Sequence, residues 1–255
     1  MKWHHENGMV WGEFLEITEL GVTHGMSTRL GGISQGGCES LNLGLMADKE
    51  NPDRTLENRR RFFEAVGLPM NSLATYRQIH SDTVQRVDEA GIRDSGADGV
   101  VTNKPGITLM ALAADCVPVL LVDPKKKTLG LVHSGWRGSA QGIVGKAIEK
   151  MRIEWGSNPK NLWIGIGPSI GVCCYEVSRE VYEKTWASTQ VNKKTNLSHP
   201  HLDLKEVISL QAKELQVPTS QILVAEHCTA CESDLFFSHR SGDQGRCALI
   251  AGWKV

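Results

Sequence analysis

The sequence predicts a mixed α/β fold of the α+β kind, a single domain over residues 1–255 with more strand than helix at its centre. Three observations carry this. Residues 107–114 and 117–122 are apolar runs of strand length, and residues 128–132 repeat the pattern after an exposed turn at Pro124 and Lys125. Residues 139–155 switch to helical spacing, with Ile143, Ala147, Ile148 and Met151 recurring at three and four positions. No internal repeat or linker-like stretch divides the chain, and 255 residues suffice to bury one large core.

In chain order, residues 14–23 read as a strand entering a glycine-rich loop that begins at Ser27-Thr28-Arg29-Leu30-Gly31-Gly32. Glycines there allow close approach to a ligand, but the loop lacks the Gly-Lys-Ser/Thr ending of a P-loop, and a plain loop is the simpler reading. Asn51-Pro52-Asp53 starts a helix that runs to Val66 and stops at Gly67-Leu68-Pro69. Leu56, Phe63 and Val66 form its apolar stripe, and Arg59, Arg60 and Arg61 read as its solvated face. Residues 75–79 and 83–87 are strand-like and flank Gln78-Ile79-His80, and residues 97–102 form another short strand. Beyond the helix at 139–155, residues 162–167 read as a strand, 178–186 and 204–215 as helices, and 187–201 as a polar loop. Residues 222–225 and 248–252 complete the strands.

Lys and Arg number 28 against 29 Asp and Glu, so no global basic field draws nucleic acid or an anionic membrane. The first residues lack the apolar core of a secretory signal, and Asp115 interrupts the longest apolar run before it reaches membrane-spanning length. Seven cysteines, an odd count without an export signal, point to reduced thiols and a cytoplasmic location rather than a disulfide framework.

Asp115-Cys116 is an ionisable pair between two apolar strands, and the third strand delivers His133 into Ser134-Gly135-Trp136-Arg137-Gly138. Reactive groups at the ends of buried strands need partners, because they are costly to desolvate. His80, Cys116 and His133 each sit at a strand end, where side chains from separate strands converge. Three such ligands with a fourth position open suit catalytic zinc, and the same set suits copper. Two other readings stay open on the residues alone. Cys116 is a nucleophile with His133 as its base, or these are satisfied histidines beside an inert buried thiol. Cys228-x-x-Cys231, after His227, lacks a second pair at structural-zinc spacing and reads as turn cysteines, as do Cys173 and Cys174. The turn 134–138 feeds a helix with free N–H groups, and Arg137 adds a planar donor fork, so it is a candidate anion site.

Several ordered motifs are familiar. Arg29-Leu30-Gly31-Gly32, Leu41-Asn42-Leu43-Gly44, Asn58-Arg59, Gln78-Ile79-His80, Ala114-Asp115-Cys116-Val117-Pro118, His133-Ser134-Gly135-Trp136-Arg137-Gly138, Cys228-Thr229 and Phe237-Ser238-His239-Arg240 run through nearly the whole chain. Together they resemble the YfiH-type family, long labelled laccase-domain or multicopper polyphenol oxidase proteins and now described as purine nucleoside phosphorylases with adenosine deaminase activity. The resemblance implies a sandwich of mixed sheets flanked by helices, with zinc held by His80, Cys116 and His133. It implies phosphorolysis of adenosine, inosine and S-methyl-5′-thioadenosine, and deamination of adenosine with Asp115 moving protons. Partners are then a nucleoside and phosphate, in a monomer or homodimer, with Arg29, Asn42, Arg137 and Arg240 contacting substrate. Where the family often carries a second basic residue, Ser241 follows Arg240, which leaves Arg246, or no residue at all, in that role. The oxidase label fits poorly, since nine histidines include a single His-x-His pair, His199-Pro200-His201, and a copper-dependent polyphenol oxidase is an alternative only. The other alternative is a cytoplasmic cysteine amidase that edits peptidoglycan precursors with Cys116 and His133.

Overall fold

The structure, a computed structural model, describes residues 1–45, 47 and 51–254. In chain order it contains β1 (Lys2–Glu6), β2 (Met9–Glu13), α1 (Leu15–Glu19), β3 (Val22–Ser27), α2 (Pro52–Val66), β4 (Leu73–Arg77), β5 (Val84–Arg86), β6 (Gly91–Gly96), β7 (Gly99–Thr102) and β8 (Thr108–Ala113). There follow β9 (Val117–Asp123), β10 (Thr128–Ser134), α3 (Trp136–Ala140), α4 (Ile143–Trp155), β11 (Trp163–Ile166), α5 (Arg179–Trp186), α6 (Leu204–Glu214), β12 (Ile222–Val224) and β13 (Cys247–Trp253). Among the described residues, no helix is long and apolar enough to cross a membrane.

The strands form two mixed sheets, one in the order β1-β2-β3-β13-β8-β4-β6 and the other β12-β11-β9-β10-β7-β5. Strand alternation sorts their side chains into layers. Leu120, Val122, Leu129 and Leu131 of the second sheet pack against Leu109, Ala111, Leu249 and Ala251 of the first. On the outer face of the second sheet, Val119, Leu121 and Val132 meet Ile143, Ala147, Ile148 and Met151 of α4 and Val207, Ile208 and Ala212 of α6. On the outer face of the first, Met110, Ala248 and Ile250 meet Phe62 and Phe63 of α2. The result is an α-β-β-α sandwich, as expected. Sheets covered on both faces explain why β8, β9 and β10 read as unbroken apolar runs rather than alternating ones.

The expected β8, β9 and β10 hold, and β9 pairs antiparallel with β10 from Asp123 opposite Thr128 to Val117 opposite Ser134. Asp123 Oδ1 accepts the N–H groups of Lys125 and Lys126, which shapes the exposed turn between them. Between β8 and β9 the chain passes from one sheet to the other. That crossing is made at residues 114–116, with Asp115 in the left-handed region at φ 82°. The crossing therefore carries Asp115 and Cys116 to one end of the sandwich.

Other elements correct the sequence reading. Residues 14–23 are not one strand, because Leu15–Glu19 forms a single helical turn that buries only Ile17 before β3 begins. The hairpin of β1 and β2, which the sequence reading did not include, turns at Asn7 and Gly8, both at positive φ. The helix expected over 139–155 is two, broken where Gly142 turns left-handed at φ 69°. In α2, Leu56 lies outward while Thr55, Asn58, Arg59, Phe62 and Phe63 are buried. Arg60 and Arg61 are solvated and pair with Glu57, but Arg59 is buried with its Nε–H on the Leu43 carbonyl.

Asn58 explains how α2 holds the glycine-rich loop. Its Oδ1 accepts the Ile33 N–H, and its Nδ2 donates to Ser34 Oγ and to the carbonyls of Ser40 and Asn42. The loop is thereby folded onto α2. Asn58→Ala strips partners from buried groups, and urea denaturation should show a loss of roughly 3 kcal/mol with an unchanged m-value. A loss under about 1 kcal/mol would mean that the loop is held from elsewhere.

Candidate active site

Three segments of separate origin meet at the end of the sandwich. The loop after β4 is tied to β8 by Gln78, whose amide donates to the Leu112 carbonyl and whose Oε1 accepts the Leu112 N–H. His80 follows in the left-handed region at φ 58°, a conformation that costs about 1 kcal/mol or more for a residue with a Cβ. The buried carboxylate of Asp98, just before β7, holds that turn. It accepts the N–H groups of Ile79 at 3.2 Å, His80 at 3.0 Å and Ser81 at 2.6 Å, and the Ser81 hydroxyl at 2.7 Å. Asp98 Oδ1 also lies 2.9 Å from Nδ1 of His133, and the Asp98 carbonyl accepts the His133 N–H. One carboxylate thus fixes both histidines, and with Nδ1 occupied His133 presents Nε2 to the site.

The ligand atoms of His80, Cys116 and His133 all lie within 4.8 Å of one another, and the two imidazole rings sit edge to face at 4.9 Å. Gly135 closes the floor of this group. A Cβ there would stand 2.9 Å from Cys116 Sγ and 3.3 Å from His80 Nδ1, so only glycine leaves the space between them. Two imidazole nitrogens and one sulfur, with a carboxylate behind one imidazole, match the donor chemistry of zinc or copper and leave one position open.

Electrostatics prepare the same group. Burial pushes the Cys116 thiol up, but the charge of His133 and hydrogen bonds from His133 and His80 outweigh it and bring it down to about 6. Burial pushes the His133 imidazolium down, yet the Cys116 charge and the Asp98 carboxylate carry it up to about 9. Burial also works against the Asp98 carboxylate, which its bonds to His133 and Ser81 hold at about 2. At neutral pH the metal-free site is therefore a thiolate–imidazolium pair.

The group opens onto a cavity of about 980 Å³ lined by Arg59, Arg137, Arg240 and Arg246, with Asp115 and Tyr175. Arg137 is exposed, and among the described residues its guanidinium makes no hydrogen bond or ion pair and only stacks over Trp136 at 4.4 Å. Burial pulls the Arg59 guanidinium down to about 10, and no carboxylate among the described residues pairs with it. Arg240 donates to the carbonyls of Cys174 and Glu176, and Arg246 to those of Gln244 and Gly245. Asp115 accepts the Thr229 hydroxyl on Oδ1 and the Arg240 N–H on Oδ2, both at 2.7 Å.

The expected site residues thus divide. His80, Asp115, Cys116, His133, Arg137 and Arg240 come together on the cavity. Arg29 and Asn42 do not line it. Arg29 pairs with Asp243 and lies over Phe237, while buried Asn42 bonds Gly44, Thr55 and Arg246 and ties its loop down. Asp98 was missed, although an ionisable residue opening the apolar run of β7 is the same signal that drew attention to Asp115. Arg59 was missed because a run of three arginines on one helix does not reveal which of them faces inward. The four cysteines first read as separate turn residues, Cys173, Cys174, Cys228 and Cys231, lie together, with all sulfurs within 4.8 Å of one another.

A family model described as multi-copper polyphenol oxidoreductase laccase matches residues 23–254. The chain is 36% identical over 248 residues to a protein named purine nucleoside phosphorylase YlmD from Geobacillus stearothermophilus, covering 91% of this chain and 90% of that one. It is 33% identical over 221 residues to purine nucleoside phosphorylase YfiH from Escherichia coli, covering 86% of this chain and 88% of that one. The crystal structure of YlmD from Geobacillus stearothermophilus superposes with a TM-score of 0.90 at 32% identity over 99% of each chain.

A pH dependence follows from the thiolate–imidazolium pair. A metal ion needs His133 neutral, and His133 holds its proton up to about 9 while Cys116 is already ionised above about 6. Between those values binding expels the His133 proton, so affinity should rise roughly tenfold per pH unit and fall more steeply below the Cys116 value. Zinc titration against a competing chelator from pH 5.5 to 9 reads this directly. Affinity independent of pH from 6 to 9 would contradict the pairing.

Proposed function

The chain belongs to the multi-copper polyphenol oxidoreductase laccase family, the YfiH-type proteins, and from that premise we propose that it is a purine nucleoside phosphorylase using zinc held by His80, Cys116 and His133. It acts as one domain over residues 1–255 on adenosine, inosine and S-methyl-5′-thioadenosine, and it deaminates adenosine. Seven free cysteines suit a reducing compartment, the cytoplasm. One observation carries the reading: the His80–Cys116–His133 group forms part of the wall of a cavity whose other walls hold several arginines and little acid.

A zinc ion held by His80, Cys116 and His133 would supply Lewis acidity at the cavity wall. The residues of the chain do the rest. In phosphorolysis a phosphate oxygen bonds to C1′ as the N9–C1′ bond breaks, and the purine leaves with the electron pair and takes a proton. Phosphate needs fixed positive charge, which the exposed fork of Arg137 and the buried guanidinium of Arg59 offer. Arg59 is a buried cation with no acidic partner among the described residues, which is costly, so an anion beside it relieves the desolvation it already bears. In deamination, water adds at C6 and ammonia leaves, with Asp115 moving the proton. Each Asp115 oxygen accepts one hydrogen bond and keeps capacity for another. Tyr175, which burial and the Cys116 charge push up to about 12, remains a neutral hydroxyl at the cavity wall.

The copper-oxidase reading has little support. Among the described residues, His80–Cys116–His133 and the four-cysteine cluster are the groups of three or more potential ligands that converge, far short of a multicopper centre. The amidase reading has one observation in its favour, since Cys116, His133 and Asp98 are ordered like a nucleophile, a base and its orienting acid. It leaves His80 without a task.

Product analysis separates these readings. Zinc-loaded protein should release adenine and ribose 1-phosphate from adenosine only with phosphate present, and inosine without it. Arg137→Lys keeps the charge but loses the fork, and should lower phosphorolysis by roughly tenfold while affecting deamination less. Cys116 should resist alkylation until chelator removes the metal, with nucleoside cleavage falling in step. Rapid labelling of Cys116 in zinc-loaded protein, with amide hydrolysis undiminished in chelator, would overturn the phosphorylase reading in favour of the cysteine amidase.

A further inference from the structure

We infer that Cys173, Cys174, Cys228 and Cys231 form a second metal site, a closed tetrathiolate that binds a structural zinc ion and clamps two walls of the cavity together. All four sulfurs lie within 4.8 Å of one another, with Cys231 Sγ 3.5 Å from Cys173 Sγ and 3.3 Å from Cys174 Sγ. A tetrahedral zinc–sulfur site with bonds of about 2.3 Å has sulfur–sulfur edges of about 3.8 Å, so the group needs only small side-chain adjustments to close on one ion. An iron–sulfur cubane must hold its cysteine sulfurs further apart, because iron and sulfide fill the middle.

The backbone around the four sulfurs is arranged for the same purpose. Cys228 and Cys231 sit on one tight turn, in which the Glu232 N–H donates to the Cys228 carbonyl and the Glu232 carboxylate accepts the Cys228 N–H. Cys173 and Cys174 sit on another turn, closed by N–H groups of Cys174 and Tyr175 on the Gly171 carbonyl. A bridge between Ser169 and Cys228 joins the turns, and the Gly171 N–H donates to Cys228 Sγ at 3.1 Å. Sulfurs that accept backbone N–H groups are suited to remain thiolates under a metal ion. Gly171 packs closely against the group, since a Cβ there would lie 3.2 Å from Cys173 Sγ and 3.3 Å from Cys228 Sγ and push on both.

Lys205 supplies an independent observation. It is 9% exposed, and its ammonium donates to the carbonyls of Ala225 and His227 without a carboxylate partner among the described residues. A buried ammonium requires compensating charge, and a zinc ion under four thiolates is a net anion adjacent to His227. The clamp also reaches the cavity. Thr229, between two of the cysteines, donates to Asp115, and Arg240 donates to the Cys174 carbonyl. Ordering these two turns therefore orders Asp115, Tyr175 and Arg240. The inference does not depend on what reaction the first site performs.

Metal content of the full chain, isolated under reducing conditions with zinc, tests it. The wild type should hold about two zinc ions and the double variant His80→Ala/Cys116→Ala about one. Cobalt loaded into that double variant should give the intense thiolate-to-metal bands of a four-sulfur site. Cys173→Ser/Cys231→Ser should lose one ion and retain one with the weaker spectrum of a single thiolate. Because the double variant at the first site leaves the four cysteines untouched, a folding failure of the serine variant does not blunt the test. Loss of all metal from His80→Ala/Cys116→Ala, or a disulfide among the four cysteines in the freshly isolated reduced protein, would overturn the assignment.

Discussion

Everything at the working end of this sandwich depends on one buried carboxylate. Asp98 accepts three consecutive backbone N–H groups from residues 79 to 81, a serine hydroxyl and the imidazole of His133. Five donors around one anion outweigh its desolvation and keep it ionised far below neutral pH. The same bonds hold His80 in a left-handed conformation that it would not adopt unaided. They also leave His133 with its free nitrogen turned toward Cys116 and raise its affinity for a proton. Without that anion, one potential metal ligand loses its backbone and another its orientation.

The fold sets the position of this group by changing sheets. The chain leaves β8 in one sheet and enters β9 in the other at residues 114–116, while β10 delivers His133 opposite Pro118. Asp115 at the crossing is bound by Thr229 and Arg240 from the later part of the chain. Two rigid sheets therefore fix Cys116 and His133, and turns fixed by polar contacts complete the cavity. Such a division suits a site that must hold its ligands to within fractions of an ångström and still admit substrate.

Much of this was legible in the sequence, and the parts that were not share a cause. Cys116 and His133 stood out because polar groups interrupt or end apolar runs that only a doubly covered sheet explains. The arginine at the start of α3 stood out because it follows a glycine-flanked turn. Asp98 was absorbed into a short strand, since nothing in local spacing ties residue 98 to residues 79–81 and 133. The inward turn of Arg59 depends on which face of α2 meets the first sheet, and Leu56, the more apolar residue, turns outward instead. The two cysteine pairs lie on different turns, so their convergence belongs to tertiary structure. Arg29 and Asn42 lie off the cavity for the converse reason. Their motif ties the glycine-rich loop down, with Arg29 on the Glu39 and Ser233 carbonyls and on Asp243, and Asn42 on Gly44, Thr55 and the Arg246 N–H.

Asp98→Asn puts the central claim to a direct measurement. The variant keeps the shape of the side chain but removes the charge and presents an amide N–H where N–H groups already point. Affinity for added zinc at the His80–Cys116–His133 group, read by chelator competition in a Cys173→Ser/Cys231→Ser background, should then fall with this one side chain. The account predicts an affinity roughly 10- to 100-fold weaker, with far-ultraviolet circular dichroism unchanged because both sheets persist. Zinc affinity equal to that of the parent, with the fold intact, would contradict it.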